Sequence, residues 1–95
     1  MITIENQMIY LKEEGLVIAY ATFPLVEEGV VNINHTFTHP SKRGQGLAKR
    51  ILDELYIYLK KNNLKALASC SYADVYFKRY PEKQDVLVEK NKEKK

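Results

Sequence analysis

The feature that most constrains this chain is a change of hydrophobic period between residues 30 and 61. From Val30 to Thr38 the pattern alternates, with Val31, Ile33, His35 and Phe37 on one face and Asn32, Asn34, Thr36 and Thr38 on the other. Beyond Pro40 the spacing becomes three and four. Ala48, Ile51, Leu52, Leu55, Tyr58 and Leu59 form one helical face, with Lys49, Arg50, Asp53, Glu54, Lys60 and Lys61 opposite. A strand must therefore become a long helix, expected over Gln45 to Lys61, and the stretch Thr38 to Ala48 makes the change. In it Lys42 and Arg43 precede Gly44-Gln45-Gly46. Glycine lets backbone approach a ligand closely, and a helix N-terminus offers unpaired N–H groups and partial positive charge. That is how a backbone holds a phosphate. An ordinary strand-to-helix turn carries the same residue types, so the loop alone leaves both readings open.

The flanking segments define an α/β (α+β) fold. Gln7 to Lys12 reads as a first strand and Glu13-Glu14-Gly15 as a turn. Leu16 to Phe23 is a second strand, apolar on both faces and so central. Pro24 ends it, and Glu27-Glu28-Gly29 turns the chain into the third strand, giving a three-strand antiparallel meander. After the helix, Asn62-Asn63 is a stop and Leu64 to Ser69 a short fourth strand. Strand, helix and strand in this order imply a parallel crossover, with the fourth strand beside the third in a mixed sheet. Ser71 reads as the N-cap of a short helix over Tyr72 to Tyr80, with Asp74 three residues on. Ala73, Tyr76, Phe77 and Tyr80 face inward, Pro81 ends the helix, and Asp85 to Val88 packs back as an extended piece.

Ninety-five residues fit one domain, here 1–88, followed by a charged C-terminal tail, 89–95, expected to be disordered. The tail supplies +2 of the net charge of +3, so the body is nearly neutral and gives little basis for nucleic-acid binding. A single cysteine excludes an internal disulfide and fits a reducing compartment. No apolar run approaches the ~18 residues of a membrane span, and the N-terminus lacks the pattern of a signal peptide, so the expected location is cytoplasmic. One Cys with His35 and His39 makes no zinc pattern within one chain, and no metal is expected.

Cys70 ends the fourth strand and stands just before a helix start, where the helix field favours thiolate. Ligands of open α/β sheets bind beyond the carboxyl ends of strands, and the glycine loop lies there too. Cys70 reads either as a nucleophile or as a small buried hydrophobe. His35 reads either as a general base or as a core histidine bonded to backbone.

Taken together, these residues resemble the GNAT acyltransferase superfamily. Arg43-Gly44-Gln45-Gly46-Leu47-Ala48 is similar to its motif A, Gln/Arg-x-x-Gly-x-Gly/Ala. Asn34-His35-Thr36, Cys70-Ser71-Tyr72 and Arg79-Tyr80-Pro81 resemble the small single-domain members, over about residues 6–88. The resemblance implies a truncated GNAT-like fold and acetyl-CoA as cofactor. Its pyrophosphate would rest on the amides of Arg43, Gly44, Gln45, Gly46, Leu47 and Ala48, and its pantetheine on those of Phe37 and Thr38. Lys42, Arg43, Lys49 or Arg50 would meet the 3′-phosphate. It implies transfer of acetyl to an amine, a peptide or protein lysine among the candidates, by a monomer or weak homodimer. The runner-up is a non-catalytic acyl-CoA-binding module. One departure matters. Most members carry a Tyr, the acid for the leaving thiolate, where this chain has Phe77; Tyr76 beside it is turned about 100° away on a helix. Either the amine attacks directly, with His35 or water as base, or Cys70 takes the acetyl group first, activated by His35.

Overall fold

A computed structural model describes residues 2–88; the charged tail 89–95 lies outside them. β1 (Ile2–Glu5) and β2 (Met8–Glu13) form a hairpin around Asn6 and Gln7, both at positive φ (52° and 61°). Two left-handed residues at the bend match the twist of the flanking strands. The sequence reading missed β1, because Ile2-Thr3-Ile4 is too short to establish a period. β3 (Leu16–Thr22) pairs antiparallel with β2 and is central, as expected. β4 (Leu25–Glu27), also missed, is an exposed edge strand of three residues.

The expected third strand is two strands. β5 (Val30–Ile33) pairs with β4, and β6 (His35–Thr38) pairs with β3. Asn34 sits between them, and its N–H reaches the Thr22 carbonyl at 3.2 Å. It is one residue too many for the ladder, which is how a β-bulge bends a strand and re-aims the side chains beyond it. The expected single mixed sheet is therefore two sheets, β1-β2-β3-β6 and β4-β5-β7.

α1 (Leu47–Lys61) follows the glycine loop, and β7 (Lys65–Ala68) returns parallel to β5, completing the expected crossover. The inner face of α1 buries Leu47, Ile51, Leu52, Leu55 and Leu59 in one core with Ile9, Leu11, Ala19 and Ala21. Each such Leu or Ile contributes roughly 1.5–3 kcal/mol by leaving water. α2 (Ser71–Arg79) buries Ala73, Tyr76 and Phe77, as the pattern predicts. Its N-cap is Cys70, not Ser71: the Asp74 N–H bonds to the Cys70 carbonyl at 2.9 Å. Pro81–Val86 forms a 3-10 turn, so only Leu87 and Val88 pack back in extended form, beside Ala66.

Candidate active site

β5 and β7 run together as far as the bond from the Cys70 N–H to the Ile33 carbonyl, 3.1 Å. Beyond that point the two sheets part. β6 swings onto β3 while the chain from Cys70 enters α2, and the far edge of β6 is left open. Its register decides what that edge offers. The His39 N–H bonds to the Ile18 carbonyl at 2.7 Å, in register with the β3–β6 ladder. Bonded pairs alternate in an antiparallel ladder, so Phe37 and His35 pair with Tyr20 and Thr22. Thr36 and Thr38 turn their N–H and C=O groups outward, toward the cleft.

This corrects one expectation. The backbone of Phe37 is taken by β3, and Thr36 replaces it at the open edge. Side chains alternate likewise. Thr36 and Thr38 share the face of Ala19 and Ala21, on which α1 packs, whereas His35 and Phe37 lie against Tyr20 on the opposite face, with ring centroids at 5.7 and 5.2 Å. His35 is exposed there and is not a core residue.

Cys70 faces the cleft. Its Sγ is 3.6 Å from Thr36 Oγ1. Burial alone would push the thiol up. The Ala73 N–H, the Thr36 hydroxyl, and the N–H groups of Tyr72 and Thr36 more than offset this, and the thiol lies below its ordinary value. The α2 amides act on the sulfur as nearby dipoles, without a full capping hydrogen bond. The expected Cys70–His35 pair does not form, because strand alternation puts the two on opposite faces of the sheet. Thr36→Val removes one donor at nearly constant shape. Its expected effect is a shift of the pH midpoint of Cys70 alkylation to higher pH, with iodoacetamide reacting about five-fold more slowly below that midpoint. An unmoved midpoint would show that the amides alone hold the thiolate.

At the other end of the cleft, Thr38, Arg43, Gly44, Gly46, Leu47, Ala48 and Tyr72 line a cavity of about 210 Å³. Gly44 and Gly46 stand at φ +86° and +72°, which glycine adopts without the penalty other residues pay. The first bond of α1 runs from the Arg50 N–H to the Gly46 carbonyl, so the amides before it have no partner within the helix. No acidic side chain stands in that first turn. Arg43 Nε reaches the Thr38 carbonyl at 3.4 Å, which keeps its guanidinium at the cavity mouth. Gln45 is exposed and outside the lining. Lys42 is drawn away to Glu13 at 2.8 Å, and His39 Nδ1 accepts the Ser41 N–H at 3.2 Å. Tyr72, in the first turn of α2 two residues past Cys70, also walls this cavity.

Tyr76 does not stand in for the absent tyrosine. Its hydroxyl donates to Asp53, and burial together with that carboxylate raises its pKa well above the ordinary value. Burial pushes Asp53 up as well, but hydrogen bonds from Lys49 (2.8 Å), Tyr76 and Lys83 (2.9 Å) outweigh it and hold the carboxyl at about 2.

The GCN5-related N-acetyltransferase family model matches residues 8–86. The chain belongs to that family. Among solved structures, this GNAT domain is similar to a GCN5-like protein from Staphylococcus aureus, at 30% identity over 93% of this chain and 87% of that one, with a TM-score of 0.77. The ribosomal-protein-S18-alanine N-acetyltransferase of Escherichia coli shares the fold at 18% identity, over 80% of this chain and 53% of that one, with a TM-score of 0.64. A Mycobacterium tuberculosis protein solved in complex with CoA does so at 15% identity, over 65% and 40%, with a TM-score of 0.55. No curated protein sequence matches the chain. Among the described residues no helix is long and apolar enough to cross a membrane.

Proposed function

We propose that this GNAT domain binds acetyl-CoA and transfers the acetyl group to an amine by way of Cys70. The observation that carries the reading is one cleft with an anion-binding loop at one end, a lowered thiol at the other, and the open edge of β6 between them. The residues present suit the cofactor. Unpaired amides and left-handed glycines suit a pyrophosphate, and the outward groups of Thr36 and Thr38 suit the two amides of a pantetheine arm. The cofactor supplies an acyl thioester.

The Cys70 thiolate attacks the thioester carbonyl carbon. A new S–C bond forms at Cys70, the old one breaks, and CoA leaves as thiolate. The Thr36 N–H faces the same space and is placed to donate to the developing oxyanion. An amine then attacks the acetyl carbon on Cys70; the N–C bond forms, the S–C bond breaks, and the regenerated thiolate or the departing CoA takes the amine proton. This route needs no tyrosine acid, in keeping with Phe77 and with a Tyr76 committed to Asp53. It also needs no contact from His35.

The test combines intact-protein mass spectrometry with thiol release across small amines, polyamines and lysine peptides. Incubation with acetyl-CoA should add one acetyl group, mapped to Cys70 and discharged by an amine acceptor. Tight acetyl-CoA binding with no CoA released for any amine would defeat the proposal.

A further inference from the structure

The sheet β1-β2-β3-β6 has a second face that neither helix covers. α1 lies on the face of Ile9, Leu11, Ala19 and Ala21, and α2 packs beside β7. In the ladder registers, Thr3, Tyr10, Tyr20 and Phe37 stand in one row across the four strands, and Glu5, Met8, Thr22 and His35 in another. Side chains alternate along a strand, so both rows point away from α1. Tyr20 and Phe37 stack at 5.2 Å, and both, with Tyr10 and Met8, stay partly exposed. Two charges frame this aromatic surface. Glu5 accepts the Tyr10 hydroxyl at 2.9 Å, and Lys12 Nζ lies 6.0 Å from the centre of the same ring. Lys12 is two residues beyond Tyr10 on β2, and Glu5 pairs with Met8, two residues before it. Among the described residues neither charge has an ion-pair partner. An unpaired cation and an unpaired anion thus flank one aromatic row, about 14 Å apart along the strands.

We propose that this face binds a second copy of the chain, sheet against sheet, as a weak symmetric dimer. A two-fold contact uses the same patch on both copies, so the patch must complement itself. A two-fold axis lying across the strands, along the row from Thr3 to Phe37, reverses the strand direction of the second copy. It lays the two aromatic rows together and sets Lys12 of each copy opposite Glu5 of the other, one strand over. Packed sheets stand about 10 Å apart with their strands nearly aligned, a gap that facing lysine and glutamate side chains span. Other partners fit the charges less well. A nucleic acid or an anionic membrane calls for a surplus of cations, and a polyamine for a surplus of carboxylates, whereas Lys12 and Glu5 balance. The footprint sets the affinity. Four strands about 4.8 Å apart and five residues tall cover on the order of 300–400 Å² per copy, under half of the ~800 Å² of a stable interface. The dimer therefore forms only at high protein concentration. The cavity at the glycine loop lies on the helix side and stays free in both copies.

The test is sedimentation equilibrium from roughly 10 µM to 1 mM, on the wild type and on charge reversals. Lys12→Glu and Glu5→Lys each bring like charges together twice and should weaken the dimer about ten-fold or more. The double variant Lys12→Glu/Glu5→Lys restores both contacts and should return to within about three-fold of the wild type. An equimolar mixture of the two single variants should dimerise again, because each then meets its opposite. Both side chains are exposed, and circular dichroism checks that each variant keeps its fold. A wild type that stays monomeric up to about 1 mM overturns the proposal. So does a dimer that both single reversals leave unchanged, or one that the double variant fails to restore.

Discussion

Cys70→Ala is expected to lower acetyl transfer about a thousand-fold or more while the fold survives, because removing a nucleophile typically removes most of the rate. The side chain is small and only partly buried, so little packing is lost. Loss of chemistry should be nearly complete, since among the described residues no other thiol or lowered hydroxyl faces the cleft. Cys70→Ser sharpens the test. Serine is among the favoured N-cap residues, and Cys70 makes no full capping bond, so the serine variant should be at least as stable as the wild type and still inactive. Following CoA release and thermal unfolding on the same preparations separates the two effects. Undiminished turnover in Cys70→Ala would leave the thiol a lining residue and return the reaction to direct attack.

The second large effect is on stability. Asp53→Asn is expected to cost about 1–2 kcal/mol near neutral pH, the lower end reflecting the partial exposure of this carboxylate, and to lower Tm by about 5–15 °C. Asp53 joins α1 to α2 through Tyr76 and to the following turn through Lys83. Its folded pKa of about 2 lies below the ordinary 3.8. A depressed carboxylate contributes stability that is fully present above its unfolded pKa and is lost as pH falls through its folded one. The difference between wild type and variant should therefore be constant above about pH 5 and vanish toward pH 2. Thermal unfolding across that range checks it. A difference that persists unchanged at pH 2 would mean that geometry, not charge, carries the effect.

Much of this was legible in the sequence because it rests on long periods. The α1 stripe and the inner face of α2 run over several turns, and the loop with its two glycines is punctuated on both sides. What escaped detection was short or local. β1 and β4 span four and three residues, which no period can establish. Asn34 was the costlier miss. Continuous alternation from Val30 to Thr38 put His35 on the face of Val31 and Ile33, and a bulge leaves no mark in a binary pattern. With it, the match between Cys70 and His35 failed, and the open backbone positions moved from Phe37 to Thr36. The cluster of Asp53, Lys49, Tyr76 and Lys83 draws on three separate segments, so only the tertiary fold could assemble it.

The bulge at Asn34 bears on a different hazard, aggregation. A strand with one side unpaired is a template for another chain, and proteins guard such edges by keeping them very short. β6 is four residues long, and only Thr36 and Thr38 turn their backbones outward. Two such positions fall well short of the five or six residues of an ordinary strand partner. They do match a slender ligand with two amide groups. By breaking one long strand into two short ones, a single extra residue leaves an edge too short to serve as a template for a neighbouring polypeptide.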